Sequence, residues 1–319
     1  MKVKTKKKIS PLMIALLILL IVYTVALLFP IAWGLLTSFK HILDFGSLKH
    51  NVLGFPNWDV WKLDKTNVGG IFGNYYYAYK YFEFEQSDSY IVGIFNQRTV
   101  AEKAKYNILG CLVNTVLYAG VTCFIMAFVP MYVAYLCARY RYKMSSIIYA
   151  VVVFVMTIPI VGSTPSHIEL MRKLSIFNTF PGEWLRRASF TGMYFLVYYA
   201  FFRGMSDAYA EAAEIDGASQ FRVMTTIYFP LARTIYLTVA LLIFVNLWND
   251  FNTPMLFLPT KATLAYGIYY VTNIASGTLM SETPRKIALL MMFCVPILVL
   301  FVFFKDKLMG NLTMGGVKG

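Results

Sequence analysis

Residues 211–230, Glu-Ala-Ala-Glu-Ile-Asp-Gly-Ala-Ser-Gln-Phe-Arg-Val-Met-Thr-Thr-Ile-Tyr-Phe-Pro, form a polar island between two strongly apolar stretches. An alanine-rich helical run stops at Gly217, a second run begins near Ser219, and Pro230 closes the unit before the chain turns apolar again. Ser206 and Asp207 suit a helix start, where side-chain oxygens accept from free backbone N–H groups. Ala208, Ala210, Ala212 and Ala213 combine high helix propensity with small volume, which permits close approach by another surface. Gly217 can take the left-handed conformation that ends a helix. Phe221, Met224, Thr225 and Tyr228 then recur at helical spacing and predict one face of a second helix. Pro230 disfavours helical geometry at Phe229 and predicts a bend. On these grounds the island reads either as an amphipathic helix pair lying on a membrane or as an element offered to something outside it.

The rest of the chain explains why such an island stands out. Its 319 residues are 58% hydrophobic, 17% aromatic and 14% charged, with a mean hydropathy of +0.59. Soluble domains carry about 25% charged residues, so this composition belongs to an integral membrane protein. The net charge of +13 sits in short clusters beside apolar runs rather than along a basic groove, which argues against nucleic acid. The cysteines, Cys111, Cys123, Cys137 and Cys294, lie in or beside apolar segments with neither metal-ligand nor redox spacing, and read as small buried hydrophobes.

A span needs about 20 largely apolar residues. Six candidates follow: Leu12 to Phe39, Tyr106 to Ala138, Met144 to Gly162 with a kink or end at Pro159, Ala188 to Phe202, the stretch after Arg233 to about Leu258 interrupted by Asp250, and Ile287 to Phe304 with a kink at Pro296. The expected fold is all-α and polytopic with six transmembrane helices. The fourth candidate is short, so Arg187 and Arg203 must snorkel to the two interfaces or neighbouring polar residues must join the helix. The basic start, Met1 to Lys8, precedes an uncharged run that reaches Lys40, too long for a secretory signal and without a small-residue cleavage site.

The chain therefore divides into a basic cytoplasmic amino terminus (1–11), a first span (12–39), an extended outer segment (40–105), a core (106–304) holding the island at about 206–230, and a cytoplasmic tail (305–319). The amino terminus, Arg139-Tyr-Arg-Tyr-Lys143 and Lys305, Lys307 and Lys318 fall on one side, which the positive-inside rule makes the cytoplasm. Arg172, Lys173, Arg186 and Arg187 dissent on the outer side, partly balanced by Glu169 and Glu183. The outer segment is rich in turn residues and aromatics, among them Trp58, Trp61 and Tyr75-Tyr-Tyr-Ala-Tyr79. It reads as a small folded cap or as an interfacial tyrosine and tryptophan belt.

The spacing of the island resembles the EAA motif of permease subunits in ATP-binding-cassette importers: Glu-Ala-Ala, three residues, Gly, nine residues, Ile-x-Leu-Pro. Glu211, Ala212, Ala213, Gly217, Ile227 and Pro230 match it, with Phe229 in place of the usual leucine, and Glu211 to Ala218, including Asp216, is similar to the carbohydrate-uptake branch. Asn114-Thr115, Trp248-Asn-Asp-Phe251 and the tail from Gly310 to Gly319 also resemble the maltose-type permeases, whereas 41–105 matches poorly. The resemblance implies a permease half without its own engine, whose island sits in a cleft of an ATP-hydrolysing subunit. It further implies a second, homologous permease, two ATP-binding subunits, an extracytoplasmic solute-binding protein and residence in a prokaryotic cell membrane with both termini cytoplasmic. ATP and magnesium would be used by the partner subunits. The chain itself has no phosphate-binding Gly-x-x-x-x-Gly-Lys-[Ser/Thr] loop, and His41, His50 and His167 do not cluster, so no catalytic or metal site and no bound cofactor is expected.

Polar groups inside a span need a reason, because hydrocarbon penalises them by roughly 2–4 kcal/mol. Asn246, Asn249, Asp250 and Thr253 share one face of the fifth candidate span, with Asp250 roughly 25 Å along from Arg233. They read either as the lining of a hydrated path for a carbohydrate, an oligosaccharide among the candidates, or as interhelical bonding near a helix end. The competing classes are an ion-coupled secondary carrier, for which no internal repeat or buried acidic chain is evident, a permease for a non-sugar solute, and a membrane-embedded enzyme, which needs a clustered site.

Overall fold

The computed structural model describes residues 11–47, 51–63, 68–87, 103–140, 142–158, 162–274 and 282–312. The chain is mostly helical and divides into two compact units, residues 1–82 with 271–295 and residues 83–270 with 296–319. Four helices are long and apolar enough to cross a membrane: Pro11–Ser38, Ile108–Arg139, Gln220–Asn249 and Thr283–Phe303.

In the first unit, α1 (Pro11–Ser38) exposes almost its whole apolar surface until its last turn, where Gly34, Thr37 and Ser38 are buried. The segment that follows is folded around polar anchors. The buried Lys40 ammonium donates to the carbonyls of Asn51 and Val52, each at 2.8 Å. The buried Asp44 carboxylate accepts from the Asn57 amide at 3.0 Å. Two short helices complete it, α2 (Trp58–Leu63) and α3 (Gly73–Tyr81). Trp61 Nε1 donates to the Phe39 carbonyl, and Asn74 Nδ2 donates to the carbonyls of Ser38 and Lys40. These bonds satisfy the backbone groups left open where α1 ends.

The second unit begins with a feature that corrects the all-α expectation. Strands β1 (Glu83–Ser87) and β2 (Lys103–Asn107) pair antiparallel, with Phe84 opposite Tyr106 and Glu83 opposite Asn107. The Phe84 and Tyr106 rings meet with centroids 5.2 Å apart, a cross-strand aromatic pair that stabilises a short ladder. Tyr106 is thus a strand residue, and the helix expected from it starts at Ile108, where Asn107 Oδ1 accepts from the Gly110 amide at 2.8 Å.

From there α4 (Ile108–Arg139) runs on, with a π-turn at Val116–Val121. Next come α5 (Lys143–Thr157), α6 (Thr164–Lys173), α7 (Phe180–Arg187) and α8 (Met193–Arg203). The third candidate span ends as a helix at Thr157, and Pro159, its expected kink, lies outside the described residues. The fourth starts at Met193 instead of Ala188, because the Ser189 and Thr191 hydroxyls bond each other at 2.8 Å and Gly192 turns the chain at φ +138°. At about 1.5 Å per residue, the 15 residues of α5 and the 11 of α8 are each shorter than a hydrocarbon core.

The core of this unit lies where α8 packs along α4. Ala127 and Ala134 on α4 are fully buried and leave room for Phe195, Tyr198 and Phe202 of α8. The far side of that core is closed by Val239, Ile243 and Leu247 of α10 (Gln220–Asn249), the helix that follows the island. Beyond it, α11 (Asn252–Phe257) and α12 (Leu264–Tyr269) precede α13 (Thr283–Leu312), which carries Pro296 within its length. The tail residues 313–319 fall outside the described residues.

Candidate functional site

The island consists of α9 (Ala208–Ile215), a tight turn and the first two turns of α10. Gly217 has φ +77°, the Ala218 amide donates to the Ala213 carbonyl at 2.9 Å, and the Gly217 amide donates to Glu214 at 3.0 Å. This pair of bonds is the Schellman arrangement, which satisfies two orphan carbonyls and requires a left-handed residue at Gly217. Ser219 then caps α10, its hydroxyl accepting from the Arg222 amide. At the start of α9 the Ser206 hydroxyl accepts from the Ala208 amide at 3.3 Å, while Asp207 makes no capping bond.

Asp207 instead pairs with Arg139 Nη2 at 2.7 Å. Arg139, at the end of α4 and nearly buried, also donates to the Met205 carbonyl at 3.1 Å and to the Tyr228 hydroxyl, and lies over the Tyr228 ring. One guanidinium thus ties the base of α4 to both sides of the island. In sequence Arg139 signals only charge and orientation; nothing there marks it as a clamp.

Two expectations about the second half of the island are corrected. Pro230 does not close it with a bend: Phe229 is helical at φ −68°, ψ −42°, and α10 continues to Asn249. The π-turn Met224–Tyr228, closed by a bond from the Phe229 amide to the Met224 carbonyl, widens the helix directly ahead of the proline ring. That widening relieves the clash with the carbonyl four residues back that a regular α-helix would impose. It also rotates the buried face. Val223, Met224 and Tyr228 are buried, whereas Phe221 and Thr225, expected on the same face, are exposed.

Glu211, Ala212 and Asp216 are exposed, while Ala213 and Ile227 are half-buried and pack against the core. Pro230 is exposed in the first turn that follows the π-segment. The island also exposes large apolar groups: Ile215 is 86% and Phe221 70% exposed, and Tyr209 is exposed beside them. Among the described residues nothing covers this apolar set, and exposed apolar patches of this kind mark interaction sites.

At the other end of α10 lies a cleft of about 360 Å³ lined by Met126, Arg187, Tyr194, Ile243, Asn246 and Asp250. Asn246 Nδ2 bonds back to the Leu242 carbonyl at 2.8 Å, which leaves its amide oxygen available as an acceptor. Asn249 makes the same back-bond to Val245 but is not among the lining residues. Asp250 ends α10 within a polar knot. Its Oδ1 accepts from the Thr253 amide, and its Oδ2 accepts from Tyr118 at 2.9 Å and Arg187 Nη2 at 3.2 Å. Arg187 Nη2 also donates to the Thr253 hydroxyl at 2.9 Å, and Arg187 Nε donates to Glu183 at 3.0 Å.

Glu183 is fully buried and takes Arg186 through two further bonds, at 2.6 and 2.7 Å. Burial works against the Arg187 charge, yet Tyr118, Glu183 and Asp250 outweigh it and leave its pKa raised. The sequence shows Glu183 only as one charge among several in an outer loop. Its Glu-x-x-Arg-Arg spacing, which puts both guanidiniums one helical turn away, is the signal that could have found the knot. Among the described residues no group of histidine, cysteine, aspartate or glutamate could hold a metal ion.

The family model described as binding-protein-dependent transport system inner membrane component matches residues 128–312, a stretch that contains the island, the Arg139 clamp and most of the cleft. The chain belongs to this family. As such a permease it is a non-catalytic transport subunit of the inner membrane. It is 26% identical over 307 residues to the diacetylchitobiose uptake system permease protein of Streptomyces coelicolor, covering 93% of this chain and 86% of that protein. It is 25% identical over 211 residues to the trehalose transport system permease protein of Mycobacterium tuberculosis, covering 65% of this chain and 76% of that protein. Among solved structures, a bacterial ABC transporter involved in import of the acidic polysaccharide alginate aligns with a TM-score of 0.59 at 17% identity, over 92% of this chain and 95% of that chain. That likeness concerns the fold.

Proposed function

We propose that this permease is one membrane half of an ATP-driven importer for a carbohydrate, an oligosaccharide or disaccharide being the favoured cargo. The observation that carries this reading is the island: a Schellman-closed helix pair clamped by Arg139, presenting Tyr209, Ile215 and Phe221 without cover. Such a rigid, partly apolar element suits a cleft on a separate ATP-hydrolysing subunit, with Glu211 and Asp216 at its polar margin. Closure of two such subunits around ATP and magnesium would move the islands and, through α10, the cleft at Asn246 and Asp250. The complex would contain a second, homologous permease, two ATP-binding subunits and an extracytoplasmic solute-binding protein. Six spans, with α5 and α8 extended by flanking residues and both termini cytoplasmic, fit the placement of the basic clusters.

The carbohydrate assignment rests on the relatives, whose names cite diacetylchitobiose and trehalose, and on a cleft that sets Tyr194 beside the Asn246 amide, the Asp250 carboxylate and Arg187. Aromatic faces and amides are the groups that hold sugar C–H surfaces and hydroxyls. The test is uptake into proteoliposomes that contain the assembled complex with its binding protein. ATP supplied on the ATPase side should drive accumulation of a neutral oligosaccharide, and a proton or sodium gradient without ATP should not. Accumulation driven by the ion gradient alone would overturn the proposal.

A further inference from the structure

A second cleft, of about 430 Å³, opens at the same end of the bundle as the Arg139 clamp, between the start of α5 and the end of α8. Its walls are Tyr142, Lys143, Ser146, Tyr149, Tyr199 and Arg203. We propose that this cleft binds the phosphate headgroup of an anionic phospholipid.

Charge provides the first argument. Lys143 and Arg203 face one cavity, and among the described residues neither has a carboxylate partner; Arg203 reaches only the Tyr199 hydroxyl, at 3.4 Å. Elsewhere in this unit Arg139, Lys173, Arg186 and Arg187 each hold a carboxylate within 3.2 Å, while among the described residues Arg222, Arg233 and Lys261 hold none; what distinguishes Lys143 and Arg203 is that they share one cavity. Two like charges sharing a cleft repel unless an anion sits between them. The start of α5 adds positive partial charge, and the Ser146 hydroxyl supplies a donor.

Depth is the second argument. Lys143 is the first residue of an apolar helix and Arg203 the last residue of another, so both charges mark where these helices leave hydrocarbon. Tyr142, Tyr149 and Tyr199 line the same cleft, and tyrosines are enriched at membrane interfaces. Basic pockets between membrane helices at this depth suit acidic lipid headgroups, and the volume lies within the roughly 300–1,000 Å³ of ordinary ligand sites.

The cleft is also wired to the island. Tyr142 stacks on Tyr140 with planes 5° apart, and the Tyr140 hydroxyl donates to Gln220 Oε1 at 2.8 Å, at the start of α10. A headgroup held against Tyr142 would therefore brace the island from its flank.

The experiment is lipid retention by the purified, assembled complex, read by native mass spectrometry after reconstitution with phosphatidylglycerol or phosphatidylcholine. The wild type should retain phosphatidylglycerol in preference to phosphatidylcholine. Lys143→Gln with Arg203→Gln should weaken that retention roughly thirtyfold, from about 1 kcal/mol per basic residue. Lys143→Arg with Arg203→Lys, which keeps both charges, should retain the lipid, so a loss there would overturn the assignment even if the glutamine pair failed to assemble. Equal retention in the glutamine pair, or equal retention of the two lipids, would overturn it as well. Inorganic phosphate added to the complex in phosphatidylcholine is the control for the anion's source. Stabilisation by free phosphate equal to that by phosphatidylglycerol would overturn the lipid assignment in favour of a soluble phosphate.

Discussion

Replacing Gly217 with valine isolates the backbone geometry of the island from everything else about it. Gly217 sits at φ +77°, and a Cβ built there meets no atom within 4 Å, so the substitution is not opposed by crowding. What opposes it is the left-handed conformation, which costs a β-branched residue roughly 1–2 kcal/mol. The chain can relieve that strain only by breaking the bonds from Ala218 to Ala213 and from Gly217 to Glu214. At about 1.4 kcal/mol per tenfold, the equilibrium constant for closing the turn should fall about five- to thirtyfold. The assay is ATP-driven uptake in proteoliposomes alongside ATP hydrolysis and the thermal midpoint of the assembled complex. Uptake should fall by about five- to thirtyfold while assembly survives, because the added side chain meets no neighbouring atom and the damage stays in the exposed turn. Alanine should be intermediate and asparagine mildest, since asparagine tolerates left-handed geometry. Normal uptake in Gly217→Val would refute the reasoning, and so would equal damage from asparagine and valine, which would point to side-chain volume at a docking surface instead.

Three further outcomes follow from the same contacts. Arg139→Met removes the ion pair to Asp207 and the bond to the Met205 carbonyl, and should destabilise the clamp by about 2 kcal/mol; Arg139→Lys should recover only part of it, because an ammonium cannot fork, as thermal unfolding of the complex will report. Glu183→Gln strips the buried carboxylate from two arginines and should cost about 3 kcal/mol, lessened because both guanidiniums are partly exposed, read as a lower thermal midpoint. Asn246→Leu removes an acceptor from the cleft and should raise the uptake KM about fivefold, a hydrogen bond's worth of about 1 kcal/mol, without moving the midpoint.

How much of this was legible in the sequence follows from the range of each interaction. Gly217 was readable because its requirement is local: a left-handed turn leaves the same signature wherever it occurs. The long apolar helices were readable for the same reason, since 20 or so uncharged residues need no tertiary context. Pro230 misled because its rule assumes an α-helical register, and the π-turn at 224–228 changed the register just ahead of it. The buried face of the second island helix slipped with it, from Phe221 and Thr225 to Val223. The β1–β2 ladder escaped notice because its strands are five residues each and depend on a partner some 20 residues away. The Arg139 clamp and the Arg187–Asp250 pair join residues 63 to 89 positions apart, so composition shows the charges but not whom they meet, whereas the Glu183–Arg187 half of the knot lies within one helical turn.

The central claim is that the island docks on a separate ATP-hydrolysing subunit. A photo-crosslinking residue placed at Phe221, with a second placed at Tyr79, in the segment expected on the outer side, as control, tests it in the assembled complex. Position 221 should crosslink to the ATPase subunit and position 79 should not. Labelling of lipid alone from position 221, or of the ATPase subunit from position 79, would contradict it.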